Sequence, residues 1–92
     1  MAVTVRIPQL LRNLTNGERE VQVEAATLRE AIEALDARYP GLRQRLLDGQ
    51  GELLRYVNLF VNDQDARLLS GLDTPLPQGA EVAIVPAMAG GC

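Results

Sequence analysis

Glu81-Val82-Ala83-Ile84-Val85-Pro86 leads into Ala87-Met88-Ala89-Gly90-Gly91-Cys92. Val82 and Ile84 alternate with Glu81, Ala83 and Val85, which is the period of a half-buried strand. Pro86 ends that strand, because it removes a ladder donor. The core pattern is finished at Val85. The seven residues from Pro86 to Cys92 reach roughly 23–25 Å when extended. Small side chains cover most of that reach. Gly90 and Gly91 lack a Cβ and can thread a slot closed to other residues. Composition alone fits a frayed terminus at least as well, since chain ends are often glycine-rich.

Working back from this strand, the other elements fall into place. Val3, Val5 and Ile7 alternate with Thr4 and Arg6, a first strand that Pro8 can end. Asn13 to Gly17 reads as a turn, with Asn16-Gly17 tolerating positive φ. Glu20 to Glu24 is a second alternating run that pairs with the first as a hairpin. Thr27 opens a helix, and Glu30 completes a capping box. Leu28, Ala31, Ile32 and Leu35 form one apolar face, Tyr39 continues it, and Pro40 stops it. Arg29, Glu30, Glu33 and Asp36 form the wet face. Gly41 to Leu47 allows a short helical turn, and Asp48 to Gly51 reads as a flexible loop. Leu54 to Asn62 is the strongest strand. Asn62-Asp63 is a tight turn into a short strand near 66–68. The order is ββαβββ.

Composition narrows the function classes. The chain has 92 residues, 47% apolar and 23% charged, with a net charge of −3. One small core is expected, with roughly 64% of the extended surface buried. The acidic balance disfavours nucleic acid as a partner. No apolar run is long enough for a membrane span and no signal-peptide pattern appears, so a soluble, cytoplasmic chain is expected. Histidine and lysine are absent, which removes the commonest general base and any Schiff-base chemistry. One cysteine cannot form an internal disulfide or a cysteine-cluster zinc site. A self-sufficient enzyme is not expected, and no metal or catalytic residue is assigned. Asp63 and Asp65 suit a turn rather than acid–base work. Gly49-Gln50-Gly51 is not followed by the Gly-Lys-Ser/Thr of a phosphate loop.

A ββαβββ domain ending in Val82-x-Ile84-x-Pro86-x-x-x-Gly90-Gly91 resembles the ubiquitin-like sulfur carriers of the ThiS and MoaD type. The resemblance spans nearly the whole chain, and within the group it points to the CysO-type carriers of thiocarboxylate-dependent cysteine synthesis. Tyr56 to Arg67 is similar to their central strand pair. Gly71-Leu72-x-Thr74-x-Leu76-x-x-Gly79-x-x-Val82 is similar to their last turn and strand. Ile7-Pro8-x-x-Leu11-Arg12 matches their opening step. The resemblance implies an α+β, β-grasp fold, a mixed sheet of about five strands on one main helix. It divides the chain into a domain over 1–86 and a flexible tail over 87–92.

It also implies a chemistry. A ubiquitin-activating-type enzyme adenylates the Gly91 carboxylate with ATP, and sulfur then displaces AMP to leave a thiocarboxylate. Gly90 and Ala89 would thread the tail. Val85, Pro86, Met88 and Phe60 would touch partners. Cys92 departs from the family's active ending, because it locks the Gly91 carbonyl in an amide. Three explanations stay open. Cys92 is a cap removed by a JAMM-type zinc metalloprotease, a mimic of the cysteine adduct, or an appended residue without meaning. In the second case the adduct arises on a pyridoxal-phosphate-dependent cysteine synthase-like enzyme and the same protease type cleaves between Gly91 and Cys92. The carrier is expected to bind no cofactor itself and to be a monomer alone. A ubiquitin-like modifier conjugated through Gly91, or a molybdopterin-synthase small subunit, are the alternatives. Gly91→Ala should leave thermal stability within about 0.5 kcal/mol and sharply impair tail processing or activation, read as product formation by mass spectrometry.

Overall fold

The computed structural model describes residues 2–86. Five strands form one sheet in the order β2-β1-β5-β3-β4. β1 (Ala2–Arg6) and β2 (Glu20–Glu24) form the antiparallel hairpin, with Val3 opposite Val23 and Val5 opposite Val21. β5 (Glu81–Pro86) runs parallel to β1 and antiparallel to β3 (Val57–Val61). The β-grasp architecture follows: a mixed sheet whose last strand lies at its centre, with α1 (Leu28–Arg38) packed on one face. Strand residues alternate between faces. Val3, Val5, Val57, Leu59, Val82 and Ile84 are buried against the helix.

The helix is held as its residues dictate. The Thr27 hydroxyl accepts from the Glu30 N–H at 3.3 Å. The Glu30 carboxylate reaches one residue past the expected cap and accepts from Ala26 N–H at 2.9 Å. Leu28, Ala31, Ile32 and Leu35 are all buried. Tyr39 is half-buried against the same core, and its N–H closes the helix on the Leu35 carbonyl at 2.8 Å. Asp36, placed on the wet face by periodicity, instead accepts from the N–H groups of Gly41 and Arg43, both at 3.1 Å. That joins α1 to the short α2 (Leu42–Leu46), whose Leu42 and Leu46 are buried. Arg38 donates to the Gln22 carbonyl at 2.9 Å, covering part of the free edge of β2.

Four boundaries differ from the sequence expectation. The hairpin connection contains a 3-10 helix, Gln9–Leu14, before the Asn16-Gly17 turn, whose φ values are 56° and 84°. β3 starts at Val57, not Leu54. The Leu54 N–H donates to Leu46 and the Val57 N–H turns back to the Leu54 carbonyl, so the chain bends there. The strand placed near 66–68 is β4, Gln64–Asp65, and Ala66–Leu68 is a 3-10 helix capped by the Asp65 carboxylate on Arg67 N–H. The loop 48–51 is organised rather than loose, with the Asp48 carboxylate accepting from Gln50 and Glu52 N–H groups.

Leu35→Ala should lower unfolding free energy by about 2–5 kcal/mol, measured by urea denaturation. A loss well under 1 kcal/mol would mean that this face does not carry the core.

Candidate functional site

The site is the C-terminal end of β5, at Pro86. Its position follows from two registers. Val57 lies opposite Pro86, Asn58 opposite Val85, Leu59 opposite Ile84 and Phe60 opposite Ala83. On the other side β1 ends at Arg6, opposite Ala83. The start of β5 is clamped to the β3–β4 turn. Asn62 and Asp63 hold φ of 49° and 70°. Asn62 donates its N–H to the Glu81 carbonyl at 2.9 Å and accepts the Glu81 N–H on its side chain at 3.0 Å.

Parity sorts the side chains. Asn58, Phe60, Ala83 and Val85 share the sheet face away from the helix. Phe60 and Val85 are diagonal neighbours on it, within reach of each other's side chains. Val85 is 44% exposed and Phe60 is half-buried. Ion pairs border this apolar strip on one side, where Arg6 meets Glu81 at 3.5 Å and Glu20 at 3.9 Å. On the other side Arg67 donates to the Asn58 side chain at 2.6 Å and to the Leu54 carbonyl at 2.8 Å. Exposed ion pairs such as those of Arg6 contribute little stability, but they set the shape of the rim.

The structure therefore joins Phe60 and Val85 on one surface. Pro86 belongs to the opposite parity and lies half-buried beside Ile84, in a groove with Pro8 and Leu10. Met88, Ala89, Gly90, Gly91 and Cys92 lie outside the described residues. Tyr56 lies outside β3. It sits in the bend before β3 and is 54% exposed. Sequence reasoning missed Leu10, which is 58% exposed beside the β5 end, and Arg67. The pair Leu10-Leu11 was the available signal, since a short helix can bury only one of two adjacent leucines. Among the described residues no three of His, Cys, Asp and Glu come together to hold a metal. No helix of the described chain is long and apolar enough to cross a membrane.

Arg67→Ala should lower stability by about 1 kcal/mol through the two lost hydrogen bonds, seen as a shift in the urea midpoint. No shift would place Arg67 outside the framework of this rim.

Comparison with known proteins agrees with this architecture. The ThiS family profile matches residues 5–91. The sulfur carrier protein CysO of Mycobacterium tuberculosis is 45% identical over 93 residues, covering 99% of this chain and all of that one. The crystal structure of M. tuberculosis CysO superposes with a TM-score of 0.89 at 43% identity, covering 94% of this chain and 99% of the other. The structure of the Amycolatopsis orientalis BexX/CysO complex gives 0.90 at 38% identity, covering 94% and 96%. This chain, with its central β5 leading towards a glycine pair, belongs to the ThiS family and is a ubiquitin-like sulfur carrier of the CysO type.

Proposed function

We infer that the chain carries sulfur as a thiocarboxylate on Gly91 and delivers it for cysteine synthesis. The observation that carries this is the central, doubly paired position of β5, which is bonded into β1 and β3 and ends at Pro86. Gly91 lies five residues beyond Pro86, within about 18 Å of extended chain. A partner can hold the domain and still reach the glycine.

The Gly91–Cys92 amide must first be hydrolysed, which suits a JAMM-type zinc metalloprotease. The freed carboxylate is a poor electrophile. An adenylating partner of the ubiquitin-activating type joins it to AMP from ATP, releasing pyrophosphate. A sulfur nucleophile then attacks the acyl carbon and AMP departs. The product is a nucleophilic sulfur attached to a recognisable protein. Its acceptor is an electrophilic alkene in a pyridoxal-phosphate-dependent, cysteine synthase-like partner. Acyl migration from sulfur to nitrogen then regenerates a glycyl–cysteine amide of the kind already encoded at 91–92. The domain's part is to present the acyl group, and the catalytic groups belong to the partners.

Intact-mass spectrometry tests this. After Cys92 is removed, incubation with the adenylating enzyme, ATP and a sulfur source should add about 16 Da, oxygen replaced by sulfur. Ladders of higher-mass conjugates without that species would overturn it in favour of a protein modifier.

A further inference from the structure

We propose that the chain is cleared of amines within reach of its own activated glycine, so that the Gly91 acyl group is left to the nucleophile a partner supplies. The inference rests on the acyl activation proposed above. An acyl-adenylate reacts with amines as well as with sulfur. An amine held nearby would attack the acyl carbon and form a C–N bond. AMP would leave with the electron pair of the broken C–O bond, and the nitrogen would lose a proton to water. The product would be a closed ring that sulfur cannot enter. Tethering makes such capture fast, because a group on the same chain acts at an effective concentration in the millimolar range.

The choice of cation removes one source of amines. All nine cationic side chains are arginine and none is lysine. A guanidinium stays protonated below about pH 12 and offers no free electron pair, whereas an ammonium with a pKa of about 10.4 releases a reactive amine. Three of these arginines stand around the end of β5. Arg6 is level with Ala83. Arg55 comes two residues before Val57, which lies opposite Pro86. Arg67 donates to the Asn58 side chain at 2.6 Å, and Asn58 lies opposite Val85. Arg6 and Arg55 start within about 13 Å of Pro86 by strand spacing, inside a tail that spans about 18 Å to Gly91. At position 67 the forked guanidinium is used as a fork, on Asn58 and on the Leu54 carbonyl. At position 6 it is not. Arg6 meets exposed carboxylates at 3.5 and 3.9 Å, a task an ammonium performs equally well. Contact geometry does not call for arginine there, and the chemistry of the acyl group does.

The placing of the N-terminal end removes the other source. β1 runs parallel to β5, so it begins at the end of the sheet away from Pro86. From Ala2 to the level of Pro86 is about 23 Å of strand, followed through the Arg6–Ala83 register. The Gly79 N–H donates to the Ala2 carbonyl at 2.9 Å and holds that end. Any amine preceding Ala2 joins the domain there. A tail running back towards it would spend at least two residues on the reversal and keep about 10 Å of its reach.

The test uses the chain ending at Gly91 as its α-thioester, made by intein cleavage. That species carries an activated acyl group without the adenylating partner, so its outcome is separate from the mass-shift experiment on sulfur loading. Near pH 8 the parent should only hydrolyse to the free acid. Arg55→Lys, at an exposed site, and Leu10→Lys, 58% exposed in the groove beside Pro86, bring an amine to the near end. Gln78→Lys, at the exposed residue before Gly79, brings one to the far end. The near variants should consume the thioester about tenfold faster than the parent and yield a ring about 18 Da lighter than the acid. Gln78→Lys should match the parent, and should form the ring only in concentrated urea, where the sheet is lost. A ring from the folded parent overturns the proposal. So does ring formation in folded Gln78→Lys at the rate of the near variants, its absence from both near variants, or its absence from Gln78→Lys in urea.

Discussion

The structure depends on the placement of its last strand. β5 is paired on both sides, parallel to β1 and antiparallel to β3. Strands at the edge of a sheet fray and invite foreign pairing. A central strand does neither while its neighbours hold. The position of the C-terminal end of β5 is therefore set by two ladders and by the Asn62 clamp on Glu81. On the proposed function, a fixed end of β5 relative to one rigid surface gives each partner the same geometry.

The core beneath β5 supports that constancy. Val82 and Ile84 bury their side chains among residues of the neighbouring strands and of α1. Burying a side chain of this size stabilises by about 1.5–3 kcal/mol before entropy is counted. Two buried hydroxyls are hydrogen-bonded. Thr15 donates to the Glu18 carbonyl at 3.0 Å, and Thr74 donates to Gly71 at 2.7 Å and accepts from Ser70 N–H at 3.1 Å. No buried side-chain polar atom among the described residues lacks a partner. The loop carrying Thr74 is stitched to the helix start by Leu28 N–H on the Thr74 carbonyl and Leu76 N–H on the Ala26 carbonyl. Helix, loop and sheet thus behave as one unit.

Much of this was legible in the residues. Thr27 and Glu30 announce the helix start, and the Leu28, Ala31, Ile32 and Leu35 spacing announces its buried face. Asn16-Gly17 announces positive φ and Asn62-Asp63 a tight turn, and the structure adopts positive φ at all four positions. Local chemistry decides such features, so local sequence reports them. The bend at Leu54–Val57 was not legible. Leu54 and Tyr56 look like strand residues, and only bonds from Arg67 and to Leu46, distant along the chain, turn the backbone there. The Gln9–Leu14 helix was hidden because three leucines over six residues form no repeating pattern. The exposed strip of Phe60 and Val85 could be guessed as separate residues. Its unity, and the exclusion of Pro86 from it, came only with the β3–β5 register.

The sheet order also constrains how the protein is born. Synthesis proceeds from residue 1, yet the strand that joins the two halves of the sheet comes last. A nascent polypeptide that stops short of residue 81 leaves β1 and β3 with bare facing edges and an unsealed core, a species prone to aggregate. Closure across so long a sequence separation is also slow relative to local helix formation. The complete sheet can therefore close only after translation has passed β5.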